Sequence, residues 1–415
     1  MSVRANRGGS TPQLGVRRPI IVLSVARGGW LTGLQARPWW LATGLVLGLR
    51  VVLGVVGALS GGGTAADDGL RDFSDNLTAP GSAWRPLLLP WDHYDAVALT
   101  DISAHGYPRG DNPLNAFYPL FPALTAGVAR LLGGHVVVAA LVVSSLAAVV
   151  ALVVMHRLVA SVVGTRTAAL AVVLVAVSPF GFFLLAAYTE SLFLALSAGA
   201  FLAMQRRQPL LAGVLAAAAA ACRLQGLVVA GALLLAVVLR GRHERGPRRR
   251  MLGDAVGVTL PAILVSLAFS AYELVVLGQP SAQWGAQHWY GRHGLAMPWT
   301  VLGDSIRSLA SSAHPEELYN LLLLAVVLAA LALTVRRLPR WWTAYALLSI
   351  LLPLIQPSQV TPLTSLGRYS AVLFPAMAGV AVVARRRPLA IAVVAASAAV
   401  MLGRFVVFAH GSYVG

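Results

Sequence analysis

The feature that most constrains this chain is the alternation of long apolar runs with short arginine clusters. Trp39 to Ser60, His135 to Met155, Asp254 to Leu277 and Leu389 to Ala409 each approach the ~20 residues that carry an α-helix across ~30 Å of hydrocarbon. Composition agrees: 58% of the residues are hydrophobic and 11% charged, against roughly 25% charged in soluble proteins. A soluble globule, a disordered chain, collagen and a secreted disulfide scaffold are excluded. The single cysteine, Cys222, permits neither an internal disulfide nor a cysteine zinc cluster.

The 32 basic residues outnumber the 15 acids, giving +17, and every one of the 32 is arginine. Charge of that size can mark a nucleic-acid binder. Here the arginines cluster between apolar runs, as they do in cytoplasmic loops of membrane proteins, so no nucleic-acid partner is expected. Arginine without lysine, together with abundant Ala, Val and Gly, is the composition of a GC-rich bacterial coding sequence. Residues 1–38 carry six arginines and no acid and are expected to form a cytoplasmic basic tail, without the long apolar core and cleavage site of a secretory signal. Residues 39–415 are expected to form a single transmembrane domain.

Topology depends on Phe117 to Leu132, an apolar stretch of about 16 residues interrupted by Pro119 and Pro122. Held on the outer side as a re-entrant or interfacial segment, it leaves about eleven crossings with every arginine cluster inside. As a crossing it would turn the clusters at Arg206, Arg240 to Arg250, Arg336 and Arg385 outward, against the positive-inside bias. The first arrangement makes 61–135 the first outer loop and 278–317 the second. The expected fold class is an all-α polytopic integral membrane protein with a large first outer loop containing interfacial helices. The expected location is a bacterial cytoplasmic membrane, N-terminus inside.

In this topology the polar residues outside the arginine clusters converge on the outer face. Gly61 to Asn115 holds eight of the fifteen acids: Asp67, Asp68, Asp72, Asp75, Asp92, Asp95, Asp101 and Asp111. Tyr188, Thr189, Glu190, Arg223 and Gln225 interrupt later apolar runs, and two further loops, 278–317 and 356–368, are polar. Within PWDHYDAVALTDISAHGYP, Pro90 to Pro108, Asp92 reads as a helix N-cap with Asp95 as its N3 acid. Both carboxylates then share one helical face, where either could act as a general base tuned by partial desolvation, or simply favour the helix dipole. Asp101 and His105 do not have the spacing of a metal site, and no metal is expected. Trp284, Trp289, Tyr290 and Trp299 suit an interfacial belt or a sugar platform, with Gln287, His288 and Arg292 hydrogen-bonding hydroxyls.

The run DAVALTDISAHGY followed by NAFYPLFPAL resembles the signature of the PIG-V type mannosyltransferases, which add the second mannose to glycosylphosphatidylinositol and have bacterial relatives. An ungapped match puts the family aspartate at Asp95, its Ile-Ala pair at Ile102 and Ser103, and its Gly-Tyr pair at Gly106 and Tyr107. The Phe-Phe-Pro-x-x-Pro stretch falls at Phe117, Tyr118, Pro119 and Pro122. Ser103 stands where the family has alanine. The tryptophan that precedes the family aspartate here precedes Asp92, so three inserted residues would make Asp92 the equivalent. AYTESLF at Ala187 to Phe193, CRLQG at Cys222 to Gly226 and GRYSAVLFP at Gly367 to Pro375 extend the resemblance.

The resemblance implies a GT-C type glycosyltransferase that takes its sugar from a polyprenyl-phosphate donor at the outer membrane face and needs no cofactor besides that lipid. Asp95 or Asp92 would deprotonate the acceptor, and Arg223 and Arg368 would bind the donor phosphate. Tyr188, Glu190, Gln225, Tyr107, Trp289 and Tyr369 would contact substrate. The acceptor would be a glycan, glycolipid or protein. A lipid-linked sugar flippase or transporter is the alternative, and ionisable residues near mid-membrane together with internal repeats would mark it.

Overall fold

The computed structural model describes residues 37–60, 77–79, 81–244, 247–292, 294–310, 315–359 and 361–414. Nearly all of the basic tail and the four acids Asp67, Asp68, Asp72 and Asp75 lie outside the described residues. Among those described the chain is helical without strands, as an apolar backbone that must satisfy its own hydrogen bonds requires. The helices are α1 Pro38–Leu59, α2 Asp95–His105, α3 Leu120–Leu131, α4 Val136–Val163 and α5 Thr165–Ala176. They continue with α6 Glu190–Gln205, α7 Pro209–Ala220, α8 Gln225–Glu244, α9 Arg248–Tyr272 and α10 Pro298–Ala310. The chain then forms α11 Pro315–Thr334, α12 Arg340–Ile355, α13 Leu366–Ala371, α14 Phe374–Val383 and α15 Arg387–Ala409.

Six of these segments, in α1, α4, α8, α9, α11 and α15, are long and apolar enough to cross a membrane. The other five runs expected to cross form helices of 10–17 residues. At 1.5 Å per residue the interrupted segment α3 is about 18 Å long, well short of the hydrocarbon thickness. The sequence around these helices explains how they approach: α7 is built of Ala, Gly, Leu and Val and packs along α9. A Cβ at Gly213 would lie 1.9 Å from the Gly257 carbonyl oxygen, the close backbone contact that small residues allow between membrane helices.

Two runs expected as single spans are broken. Ala168 to Ala187 stops being α-helical at Ala176 and continues as a 3₁₀ turn, Gly181–Leu184, before reaching Glu190. Pro179 disfavours helix at the preceding residue, and the phenylalanines that follow pack inward, with Phe182 and Phe183 rings 4.4 Å apart. Leu366 to Ala384 breaks between α13 and α14, just before Pro375. The two breaks meet, because a Cβ at Gly367 would fall 2.3 Å from the Phe180 ring. Only glycine lets α13 lie on that aromatic face.

A buried non-helical segment needs partners for its carbonyls, and distant side chains supply them. Arg50, in the middle of α1, donates to Leu185 O at 2.6 Å and Ser145 Oγ at 2.7 Å while lying 4.4 Å from the Trp91 ring centre. Ser397 donates to Val177 O at 2.9 Å, and Ser144 to Tyr188 O at 3.4 Å. The breaks hold Tyr188, Thr189 and Glu190 inside the bundle rather than on an exposed loop.

The start of α2 also differs from the sequence reading. Its N-cap is Tyr94, at φ 56°, and Asp95 is the first helical residue. Asp92 ends a 3₁₀ turn, Leu89–Trp91, so the two carboxylates do not share a helical face. Aromatic anchoring outweighs capping here: Trp91 is buried against Phe405, His93 against Phe408, and Tyr94 donates to Gly411 O at 2.6 Å.

Candidate active site

Segments far apart in sequence close around one cavity of about 850 Å³, within the range of small-molecule sites. Its wall comes from the start of α2, the strip 112–118, the α7–α8 turn, the 283–292 segment, the 356–369 segment and Tyr413. These are the stretches whose polar residues the topology gathers on one face. The second expected outer loop is partly structured, with short helical turns at Ala282–Gly285 and Ala286–Tyr290, and α10 beyond them. Three of the four non-glycine residues with positive φ among those described, Tyr94, Ser281 and Ser365, lie within three residues of cavity-lining Asp95, Gln283 and Arg368. Such backbone is costly and persists where surrounding structure enforces it.

Four charges form the deepest part of the site. Glu190 opens α6 and Asp95 opens α2, so each carboxylate sits at a helix N-terminus, where the dipole favours it. Arg368 Nε donates to Glu190 Oε1 at 2.9 Å and its NH1 to Asp95 Oδ2 at 2.6 Å. Arg223 NH1 donates to the same Glu190 oxygen at 2.6 Å and to Thr189 Oγ1 at 3.2 Å. The guanidiniums also face rings, Arg368 over Tyr188 at 4.7 Å and Arg223 over Tyr369 at 5.2 Å. Glu190 is fully buried, whereas the Asp95 side chain keeps 20% of its surface open. Oδ2 is the Asp95 oxygen bonded to Arg368, and Oδ1 has no hydrogen-bond partner among the described residues.

Of the ten residues given a site role by the resemblance, Asp95, Arg223, Arg368, Trp289 and Tyr369 line the cavity, as do Trp284, Gln287, Tyr290 and Arg292 from the expected sugar platform. Five do not. Asp92 is buried and does not border the cavity. Glu190 is fully buried and pairs with both arginines, sharing their compensation with Asp95. Tyr188 spends its hydroxyl on His93 O at 2.9 Å and its ring on Arg368. Tyr107 donates to Phe117 O at 3.0 Å and packs on Phe269 and Tyr272. Gln225, the first residue of α8, is fully buried, with neither amide atom hydrogen-bonded among the described residues. Arg223 and Arg368, expected as donor-phosphate ligands, are each already paired with a carboxylate.

Trp289 is half exposed and donates Nε1–H to Asp111 Oδ1 at 3.0 Å, and Tyr290 donates to Pro113 O at 3.2 Å. Burial and the nearby Asp95 charge push the Tyr290 hydroxyl above the ordinary tyrosine range, and burial does the same to Tyr413. Both phenols therefore stay neutral. Tyr413 and Ser365 were not legible as site residues. The former follows the last span in a short tail and packs edge-on against Tyr94 at 5.2 Å, and the latter is 3.4 Å from it. The one available signal was a polar aromatic after a terminal apolar run. Among the described residues no group of three or more His, Cys, Asp and Glu side chains is placed to hold a metal.

Residues 77–275 match the mannosyltransferase (PIG-V) family model. The matched segment holds Asp92, Asp95, Tyr107, Tyr188, Glu190, Arg223 and Gln225, while Trp289, Arg292, Arg368 and Tyr369 lie beyond it. The matched segment is just under half of the chain, and the apolar helices agree with a membrane protein. No curated protein matches the chain. Solved structures with a similar course include the Archaeoglobus fulgidus oligosaccharyltransferase with zinc and sulfate, at 14% identity and a TM-score of 0.43, over 88% of this chain and 53% of that one. The apo form of the same enzyme is 13% identical, with a TM-score of 0.46, over 89% and 56%. The archaeal AglB from that organism, in complex with an inhibitory peptide and a dolichol-phosphate, gives 13% and 0.44, again over 89% and 56%. The chain spans just over half the length of these proteins.

Proposed function

We propose that this chain transfers a sugar, mannose by its PIG-V match, from a polyprenyl-phosphate sugar to an acceptor hydroxyl. Asp95 is the general base. The acceptor proton passes to Asp95 as the acceptor oxygen bonds to the anomeric carbon. The bond from that carbon to the phosphate oxygen breaks, and the polyprenyl phosphate leaves with the electron pair. One direct displacement inverts the centre, so a β-linked donor yields an α-mannoside. The observation that carries this reading is the cavity-facing carboxylate of Asp95, fixed through Oδ2 by Arg368 and with Oδ1 unengaged.

The helix lengths support a site open to a lipid-borne substrate. The connection holding Arg206 and Arg207 lies between α6 and α7, whose opposite ends carry Glu190 and Arg223. Those helices are about 24 Å and 18 Å long. With Arg206 and Arg207 at one headgroup layer, the charge network falls inside the ~30 Å hydrocarbon, below the opposite boundary. Charges at such depth must be paired, as these four are. In this reading the arginine clusters face the cytoplasm and the cavity opens to the outer side.

Membranes from cells expressing the protein, supplied with labelled polyprenyl-phosphate mannose, test the assignment. Asp95→Asn is expected to slow transfer by about 10²- to 10⁴-fold. Unchanged transfer would remove Asp95 as base, and lipid-linked sugar crossing the membrane without any glycosidic product would favour a flippase.

A further inference from the structure

Among the described residues three guanidiniums line the cavity, and two of them have carboxylate partners there. The third is Arg292, which follows a left-handed turn at Gly291, φ 70°. Its NH2 donates to Ser365 Oγ at 3.0 Å and its NH1 to Gln287 Oε1 at 3.4 Å, while Nε is buried without a hydrogen-bond partner among the described residues. No carboxylate of a described residue lies within 4.0 Å of it. A partly buried cation held only by neutral oxygens keeps a large uncompensated attraction for an anion. The network beneath contrasts with it, since Glu190 and Asp95 already compensate Arg223 and Arg368.

We propose that Arg292 is the phosphate-binding residue of this cavity, holding the phosphate of an isoprenoid carrier. This rests on the glycosyl-transfer reading and changes the assignment of its anion site. A guanidinium pre-set by Ser365 and Gln287 presents a planar fork suited to phosphate oxygens. The donor is a phosphodiester with one negative charge, and the departing monoester gains more. A fixed cation at that position therefore attracts the leaving group more strongly than the ground state, the differential that accelerates transfer. Arg368 then serves Asp95, and Arg223 serves Glu190.

The test measures binding to the purified full-length protein in nanodiscs, with farnesyl phosphate, farnesol and inorganic phosphate as probes. The wild type is expected to prefer farnesyl phosphate over farnesol by about tenfold or more, the scale of a charged hydrogen-bonded pair. Arg292→Gln is expected to erase most of that preference, and Arg292→Lys to keep part of it. An Arg292→Gln protein that melts like wild type and retains the preference overturns the proposal. Inorganic phosphate that competes as well as farnesyl phosphate at equal concentration overturns the isoprenoid carrier as the source. Loss of the preference in Arg292→Gln, in a protein whose wild type transfers no sugar, upholds the anion site and removes the glycosyl-transfer reading instead. The reverse pair of results, active transfer with an unaltered preference in Arg292→Gln, removes this inference alone.

Discussion

The buried charges at the cavity and a second pair beside Phe180, in which Arg404 is buried and Glu316 partly exposed, use the same chemistry to different ends. Arg404, on α15, pairs with Glu316 at the start of α11 and donates to Val414 O at 2.7 Å. Its guanidinium lies 4.7 Å from the Phe180 ring centre and 4.8 Å from that of Tyr319. Neither Arg404 nor Glu316 borders the cavity, while Arg368, Asp95 and Arg223 do. Burial and pairing of charge therefore do not mark a site in this protein. Bordering the cavity does.

The sharpest way to break the comparison is Glu190→Gln. It leaves two buried guanidiniums with Asp95 alone, and should cost about 3–5 kcal/mol of stability together with transfer activity, measured by thermal unfolding in detergent and by the mannose assay. Glu316→Gln is the matched change away from the cavity. Arg404 keeps the Val414 carbonyl and two rings, so a loss of about 1–3 kcal/mol is expected, with the turnover of the folded fraction unchanged. A selective fall in turnover would join the second pair to the active site. Trp289→Ala tests the rim and should raise KM by up to about tenfold through the lost indole face, with kcat and melting temperature little altered. Arg207→Ala removes an exposed bridge to Glu244, 2.6 Å long in the structure. Such surface pairs are worth little, and neither melting nor transfer should change measurably.

How much of this was legible depended on the distance over which each decision is made. The apolar runs and arginine clusters located every long helix, because a hydrocarbon environment leaves the backbone no alternative to local hydrogen bonding. The motifs also located Asp95, Arg223, Arg368, Trp289 and Tyr369 on a common face. Their roles were less legible. Arg368 meets Glu190 across 178 residues and Asp95 across 273, and no local pattern encodes either pairing. The reading of Asp92 as a helix cap failed because Trp91, His93 and Tyr94 are anchored by rings and a carbonyl from α15 and the tail behind it, which override a weak local preference.

The sequence by itself determined the helical class, the bundle's length scale and the collection of polar residues at one end of the apolar runs, since each follows from periodicity and local charge. Only the tertiary structure decided which guanidiniums are neutralised and which is left for an anion. That choice depends on two broken helices meeting at Phe180 and Gly367 and on loops folding over them. Electrostatic compensation is a property of atoms brought within a few ångströms, and chain order does not state who those neighbours will be.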